Sequence, residues 1–135
     1  MGHNRIDLAK YRLERAKEDL RGAIENLNKR ELKFSANRAY YSIYHSIRTI
    51  LALEQKDFKK HSAVISYFNL HYIKTGVFPS NLFKLISDAS LVRNASDYDD
   101  FYIASFDKTN EQVESAKLIF GLVEKHINNL NDAGE

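Results

Sequence analysis

From Leu8 to Leu130 the apolar residues of this chain return three or four positions apart, segment after segment. That spacing sets them on one face of an α-helix, and no segment alternates as a half-buried strand would. The chain is therefore read as all-α.

Five helical stretches can be delimited. The first runs from about Leu8 to Asn28, with Leu13, Ala16, Leu20, Ala23/Ile24 and Leu27 inward. For the second, Ser35 has the chemistry of an N-cap and Phe34 that of a hydrophobic staple. Its inward stripe is Ala36, Ala39/Tyr40, Ile43, Ile47 and Ile50/Leu51. Asp57 is read as the cap of a third helix carrying Val64, Ile65, Phe68 and Tyr72, with a stop at Gly76. The single proline, Pro79, suits the first turn of a fourth helix, with Leu82, Leu85/Ile86, Ala89 and Val92 inward. Thr109 and Gln112 match a capping box for the fifth, whose inward residues are Val113, Ala116, Phe120, Val123, Ile127 and Leu130. The tail after Leu130 is expected to fray. Long amphipathic helices with short connections predict an antiparallel up-and-down bundle, about five helices around a four-helix core.

Composition narrows the function classes. A chain of 135 residues is read as one domain over its whole length, with its core from about residue 8 to 130. The formal net charge of +2 gives no chain-wide basic field, which leaves only local basic patches for nucleic acid. With no cysteine there are no disulfides, thiolate nucleophiles or thiolate metal sites. The N-terminus lacks an apolar signal core, and no run nears the ~20 apolar residues of a membrane span. A cytoplasmic protein with no membrane association is expected.

One helix ends oddly. In "LISDASLVRNASDYDDFY" an arginine stands where the apolar stripe should continue. At about 100° per residue, Arg93 projects within roughly 20° of Leu82, so it points toward the bundle or along its rim. A guanidinium there needs acceptors, because an unpaired buried charge costs several kcal/mol. Asp97, four residues on, is the structural partner on offer, although arginine before aspartate is the weaker order.

A second group lies on the second helix. Arg38, Tyr41, His45 and Arg48 share a stripe roughly opposite the apolar one. A solvated face is the plain reading. Phosphate or base contacts, or a partner helix, are the functional ones. Lys59, Lys60 and His61 form a third basic cluster, read as solvated or capping, with His61 kept as a binding candidate. There is no Gly-rich phosphate loop, no His-Glu-x-x-His and no Glu-x-x-His pair, and the five histidines are scattered. No metal and no cofactor are expected.

These residues together resemble a known family. "ANRAYYSIYHSIRTIL", "KKHSAVISYFNLHYIKTGVFP", "LISDASLVRNASDYDDF" and a last helix near "TNEQVESAKLIF" are similar to the HEPN domain superfamily. The likeness is to its small stand-alone prokaryotic, nucleotidyltransferase-associated branch, and it covers Leu8 to Leu130. It implies a helical bundle that usually dimerises, often paired with a minimal nucleotidyltransferase as a toxin–antitoxin system. It further implies an RNA or nucleotide ligand, and in many members metal-independent RNA cleavage by an arginine and a histidine four to six residues apart. Mapped here, the arginine is Arg93, followed by Asn94. The histidine position is taken by Tyr98, and no histidine lies between His71 and His126.

That departure matters chemically. Metal-free RNA cleavage needs a base for the 2′-hydroxyl, a cation for the phosphorane and an acid for the leaving oxygen. Imidazole can exchange protons near neutrality, whereas a phenol with a reference pKa near ~10 is a poor base. The expected site is thus Arg93 on phosphate, Asn94 and Asp97 orienting, and Tyr98 as a hydrogen-bond donor. His45 or His61 is the source of an imidazole from another helix. Tyr98 or Tyr102 is also a candidate to accept a nucleotidyl group from the partner. Two readings stay open: an RNA-binding and RNA-cleaving HEPN protein, and a non-enzymatic module that binds a nucleotide or a partner.

Overall fold

The structure, a computed structural model, describes residues 4–133. Among these residues there are five α-helices and no strand. They are α1 (Arg5–Asn28), α2 (Leu32–Leu53), α3 (His61–Phe68), α4 (Leu82–Tyr98) and α5 (Phe106–Ala133), with a π-helical turn at Asn69–Ile73 continuing α3. The bundle is organised around α2, which touches every other helix. Its central role explains why fourteen of its residues are buried. No helix among the described residues is long and apolar enough to cross a membrane.

α1 and α2 form a hairpin with a seam of small residues. Ala9, Ala16 and Ala23 recur every seventh residue of α1 and are at most 1% exposed. Opposite them, the Ser42 hydroxyl donates to the Ala16 carbonyl at 2.8 Å and the Ser35 hydroxyl to the Ala23 carbonyl at 2.7 Å. Such bonds require the two backbones to lie close, which larger side chains would prevent. Leu13, Leu20 and Ile24 flank the seam, half-buried, and pack against the main core.

The interior apolar pattern matches the expected stripes. Ile43, Ile47, Ile50, Leu51, Val64, Phe68, Leu82, Ile86, Val113 and Val123 are all buried. At about 25 cal/mol per Å² of apolar area, each of these large side chains contributes on the order of 1.5–3 kcal/mol. Leu130 departs from its stripe at 46% exposure. α5 continues as helix through Ala133, with residues 134–135 outside the described chain, so the helical tail is longer than expected.

The helix starts differ from the capping signals. α2 begins at Leu32 with Glu31 in the cap position; Ser35 lies inside the helix, and Phe34 is 67% exposed rather than a staple. α5 begins at Phe106, where the Ser105 side chain accepts from the Lys108 N–H. Thr109 is buried and donates back to the Ser105 carbonyl. Asp57 does not cap α3, which starts four residues later, and it binds two arginines instead. Pro79 precedes α4 by a turn, its carbonyl accepting from the Leu82 N–H. α1 and α2 both end on a left-handed residue that is not glycine: Arg30 (φ 62°) and Gln55 (φ 58°). In each case the next N–H reaches back five residues, Glu31 to Asn26 and Lys56 to Leu51, which satisfies orphan carbonyls. After the π turn, Gly76 adopts φ 86°, where a Cβ would be strained.

Candidate functional site

Arg93 does turn inward from α4. Its side chain is 18% exposed, and Nη2 donates to the Tyr41 hydroxyl at 3.1 Å. Nε lies 3.1 Å from the Asp97 carboxylate, an ion-pair distance without the alignment of a hydrogen bond. The guanidinium also sits 5.1 Å from the Tyr40 ring centre and 5.3 Å from that of Tyr41. Two tyrosines from α2 therefore hold the cation where the apolar stripe of α4 runs out.

His61, the first residue of α3, joins the same cluster. Its Nδ1 is 2.9 Å from the Tyr40 hydroxyl, and its ring stacks on Tyr44 with centroids 4.0 Å apart. Burial, then the nearby charges of Arg93 and Arg48, lower its pKa below the ordinary imidazole value. His61, Arg93 and Asn94 border an open groove of about 520 Å³ between α3 and α4, with Ile65, Phe83 and Leu91 as apolar walls. His61 is half-buried, so it is not the solvated residue its lysine neighbours suggested.

The expected stripe of α2 is only partly solvated, with Arg38 exposed, Tyr41 and Arg48 half-buried and His45 buried. α1 and the connection before α3 cover its His45–Arg48 end. Arg38 reaches Asp19 at 3.2 Å, while His45 is 8% exposed with Nε2 3.9 Å from the same carboxylate. Burial first, then Arg15, Arg48 and Arg12, push the His45 pKa down to about 4. Its Nδ1 is buried without a partner among the described residues. Arg48 pairs with Asp57 at 3.1 Å and lies 5.6 Å from the Tyr44 ring centre. Of the four stripe residues, only Tyr41 touches Arg93.

A HEPN domain family model matches residues 9–126. The chain belongs to the HEPN domain family. It is 27% identical to a "UPF0332 protein" of Thermotoga maritima over 93% of this chain and 96% of that one. Two similar proteins of Methanocaldococcus jannaschii are each named "putative toxin". One is 30% identical over 76% of this chain and 73% of its own length. The other is 31% identical over 64% of this chain and 59% of its own length.

In this HEPN chain the expected residues separate into two sets. Arg93, Asn94, Asp97 and Tyr41 gather at one end of the groove, and His61 meets them there. Tyr98, the last residue of α4, is 76% exposed. Five residues along a helix is about 140° of rotation, which turns Tyr98 away from the Arg93 direction. His45 and Arg38 belong to the α1 contact instead. No group of three or more histidine and carboxylate residues could hold a metal among the described residues.

The residues that sequence reasoning missed are Tyr40 and Tyr44 as partners of a polar site, and Arg12. Arg12 is 7% exposed and donates to the Arg48 carbonyl at 3.3 Å and to Asp57 at 3.2 Å. Its place midway between Ala9 and Ala16, on the inward face of α1, was the available signal. For Tyr40 the signal was weaker: a tyrosine in a buried stripe must find a partner for its hydroxyl.

Proposed function

We propose that this HEPN chain binds RNA in the groove between α3 and α4, with a phosphate seated on Arg93 and His61. One observation carries the reading: a guanidinium and an imidazole from two different helices open onto one groove. Tyr41 and Asp97 fix Arg93 from behind, while its Nη1 bonds no protein group among the described residues. Such charge-assisted contacts position a nucleic-acid backbone. Apolar walls beside them suit an unpaired base.

The two relatives named "putative toxin" support placing the chain as the toxin-type member of a toxin–antitoxin pair. A cytoplasmic homodimer with a minimal nucleotidyltransferase as its partner is the further part of this proposal, and it rests on the HEPN resemblance alone. The exposed hydroxyl of Tyr98 is the group such a partner would reach. Anisotropy with a labelled single-stranded RNA tests the groove. Arg93→Ala should weaken binding about ten- to hundredfold, the range for a hydrogen bond to a charged group. Unchanged affinity would remove the reading.

A second reading, RNA cleavage without metal, rests on the His61 ring, whose Nε2 bonds no protein group among the described residues. It supplies from α3 the imidazole that is absent five residues after Arg93. Cleavage in EDTA that disappears in both Arg93→Ala and His61→Ala would establish it. RNA bound but left uncut by the wild-type protein would leave the binding function alone.

A further inference from the structure

The Tyr40–His61 hydrogen bond has a direction, and the direction decides what the groove presents. Tyr40 is 2% exposed, and its hydroxyl has one partner among the described residues, the Nδ1 of His61 at 2.9 Å. A buried O–H with a single acceptor in reach donates to it, because leaving the proton unbonded costs about 1–3 kcal/mol. Nδ1 is then the acceptor, and the ring proton of neutral His61 must sit on Nε2. Burial also raises the Tyr40 pKa to about 12, so the phenol keeps the proton it donates. The opposite direction, Nδ1–H to the phenol oxygen, would leave the proton of the 2% exposed Tyr40 with no protein acceptor among the described residues.

We infer that Tyr40 is a positioning residue that fixes His61 as the Nε2–H tautomer, so that His61 presents a hydrogen-bond donor beside the Arg93 guanidinium to an anionic phosphate oxygen. The ring has little freedom to escape this arrangement. It stacks on Tyr44, and the Arg93 guanidinium lies 5.1 Å from the centre of the Tyr40 ring itself. Arg93 from α4 and Arg48 from α2 are the charged groups acting on the imidazole, both positive. Among the described residues no carboxylate turns the ring toward accepting a proton. In its neutral form His61 thus presents a donor to phosphate at Nε2.

The inference rests on the RNA-binding reading for its ligand but not for its geometry, and the experiment separates the two. Nitrogen-15 shifts of the His61 ring, recorded without RNA at about pH 8, report which nitrogen carries the proton. The expected result is protonated Nε2 with a hydrogen-bonded Nδ1, and in Tyr40→Phe a Nδ1 resonance moved toward that of a free acceptor. Protonated Nδ1 in the wild type, or identical spectra in Tyr40→Phe, would overturn the proposal whatever the RNA does. Titration with a single-stranded RNA then reads the consequence. Tyr40→Phe should weaken binding roughly two- to fivefold, about one lost hydrogen bond. The same substitution should have no further effect in a His61→Ala background, whereas a merely structural role would weaken binding equally in both. Wild-type protein that shows the expected tautomer yet binds no RNA would retain Tyr40 as the positioning residue and refute the phosphate ligand.

Discussion

The Ser42 hydroxyl of α2 donates to the Ala16 carbonyl of α1 at 2.8 Å, across a contact where Ala16 has no exposed surface. Two helices can exchange such a bond only where neither carries a large side chain between the backbones. Ala16→Leu should therefore force α1 off α2 and destabilise the protein by about 3 kcal/mol, the upper range for overpacking a tight core. Urea unfolding reads this as a lower midpoint at unchanged slope. A loss below about 1 kcal/mol would mean that the seam yields easily.

The pH dependence of stability has a sign that His45 sets. Its folded pKa, about 4, lies below the ordinary 6.5, so the unfolded chain takes up the proton first. The contribution is complete above pH 6.5 and is lost as pH falls toward about 4, amounting to at most about 3 kcal/mol. His61 and His126, also lowered by burial, act in the same direction. Asp19, raised by burial despite Arg38, opposes them at the acid end. Unfolding free energy measured between pH 7 and pH 4.5 should fall, and fall less steeply in His45→Gln. A flat profile in the wild type would contradict the burial of a neutral imidazole.

How much of this was legible beforehand depended on the range of the interaction. Ala16, Ile43, Leu82 and Val113 were placed inside by spacing alone, because one helix face is a local property. Arg93 was also placed correctly, since its direction follows from Leu82 on the same helix. The capping signals failed where a hydroxyl had two uses. Ser35 has the chemistry of a cap, but its proton goes to Ala23 on the neighbouring helix. Thr109 sits one turn too late, and Ser105 takes the role. The Asp57 pairs, and the meeting of His61 with Tyr40, join residues far apart in sequence. No periodicity reports such encounters before the fold exists.

Asp57 should matter more than its partial exposure suggests. Its carboxylate takes Arg12 at 3.2 Å and Arg48 at 3.1 Å, and these cations hold its pKa below the usual carboxylate range even though burial acts the other way. Asp57→Ala leaves the buried guanidinium of Arg12 facing Arg48 with no counter-charge. An uncompensated buried charge costs several kcal/mol, and the half-exposed carboxylate lowers the expected loss to about 2 kcal/mol. The double variant Arg12→Met with Asp57→Ala should recover part of it. Equal stability of the single variant and the wild type would show that water already compensates Arg12.

The two candidates for the role of the missing motif histidine can be told apart by where they stand. Tyr98 is largely exposed at the end of α4, turned about 140° from Arg93, and packs little surface. Tyr98→Phe should therefore leave both stability and RNA affinity within about 0.5 kcal/mol of the wild type, as surface substitutions generally do. Tyr98→His should not raise cleavage, because an imidazole there would face away from the phosphate that Arg93 holds. His61→Ala removes a donor from the groove and should weaken RNA binding about fivefold. It also opens a space beside Tyr44 and leaves the Tyr40 hydroxyl buried without its acceptor, so stability should fall with it, by about 1–3 kcal/mol. Measuring affinity and unfolding on the same three variants separates the positions. An affinity loss in Tyr98→Phe with none in His61→Ala would move the binding surface from the groove to the end of α4, where the exposed Phe101 and Ile103 stand.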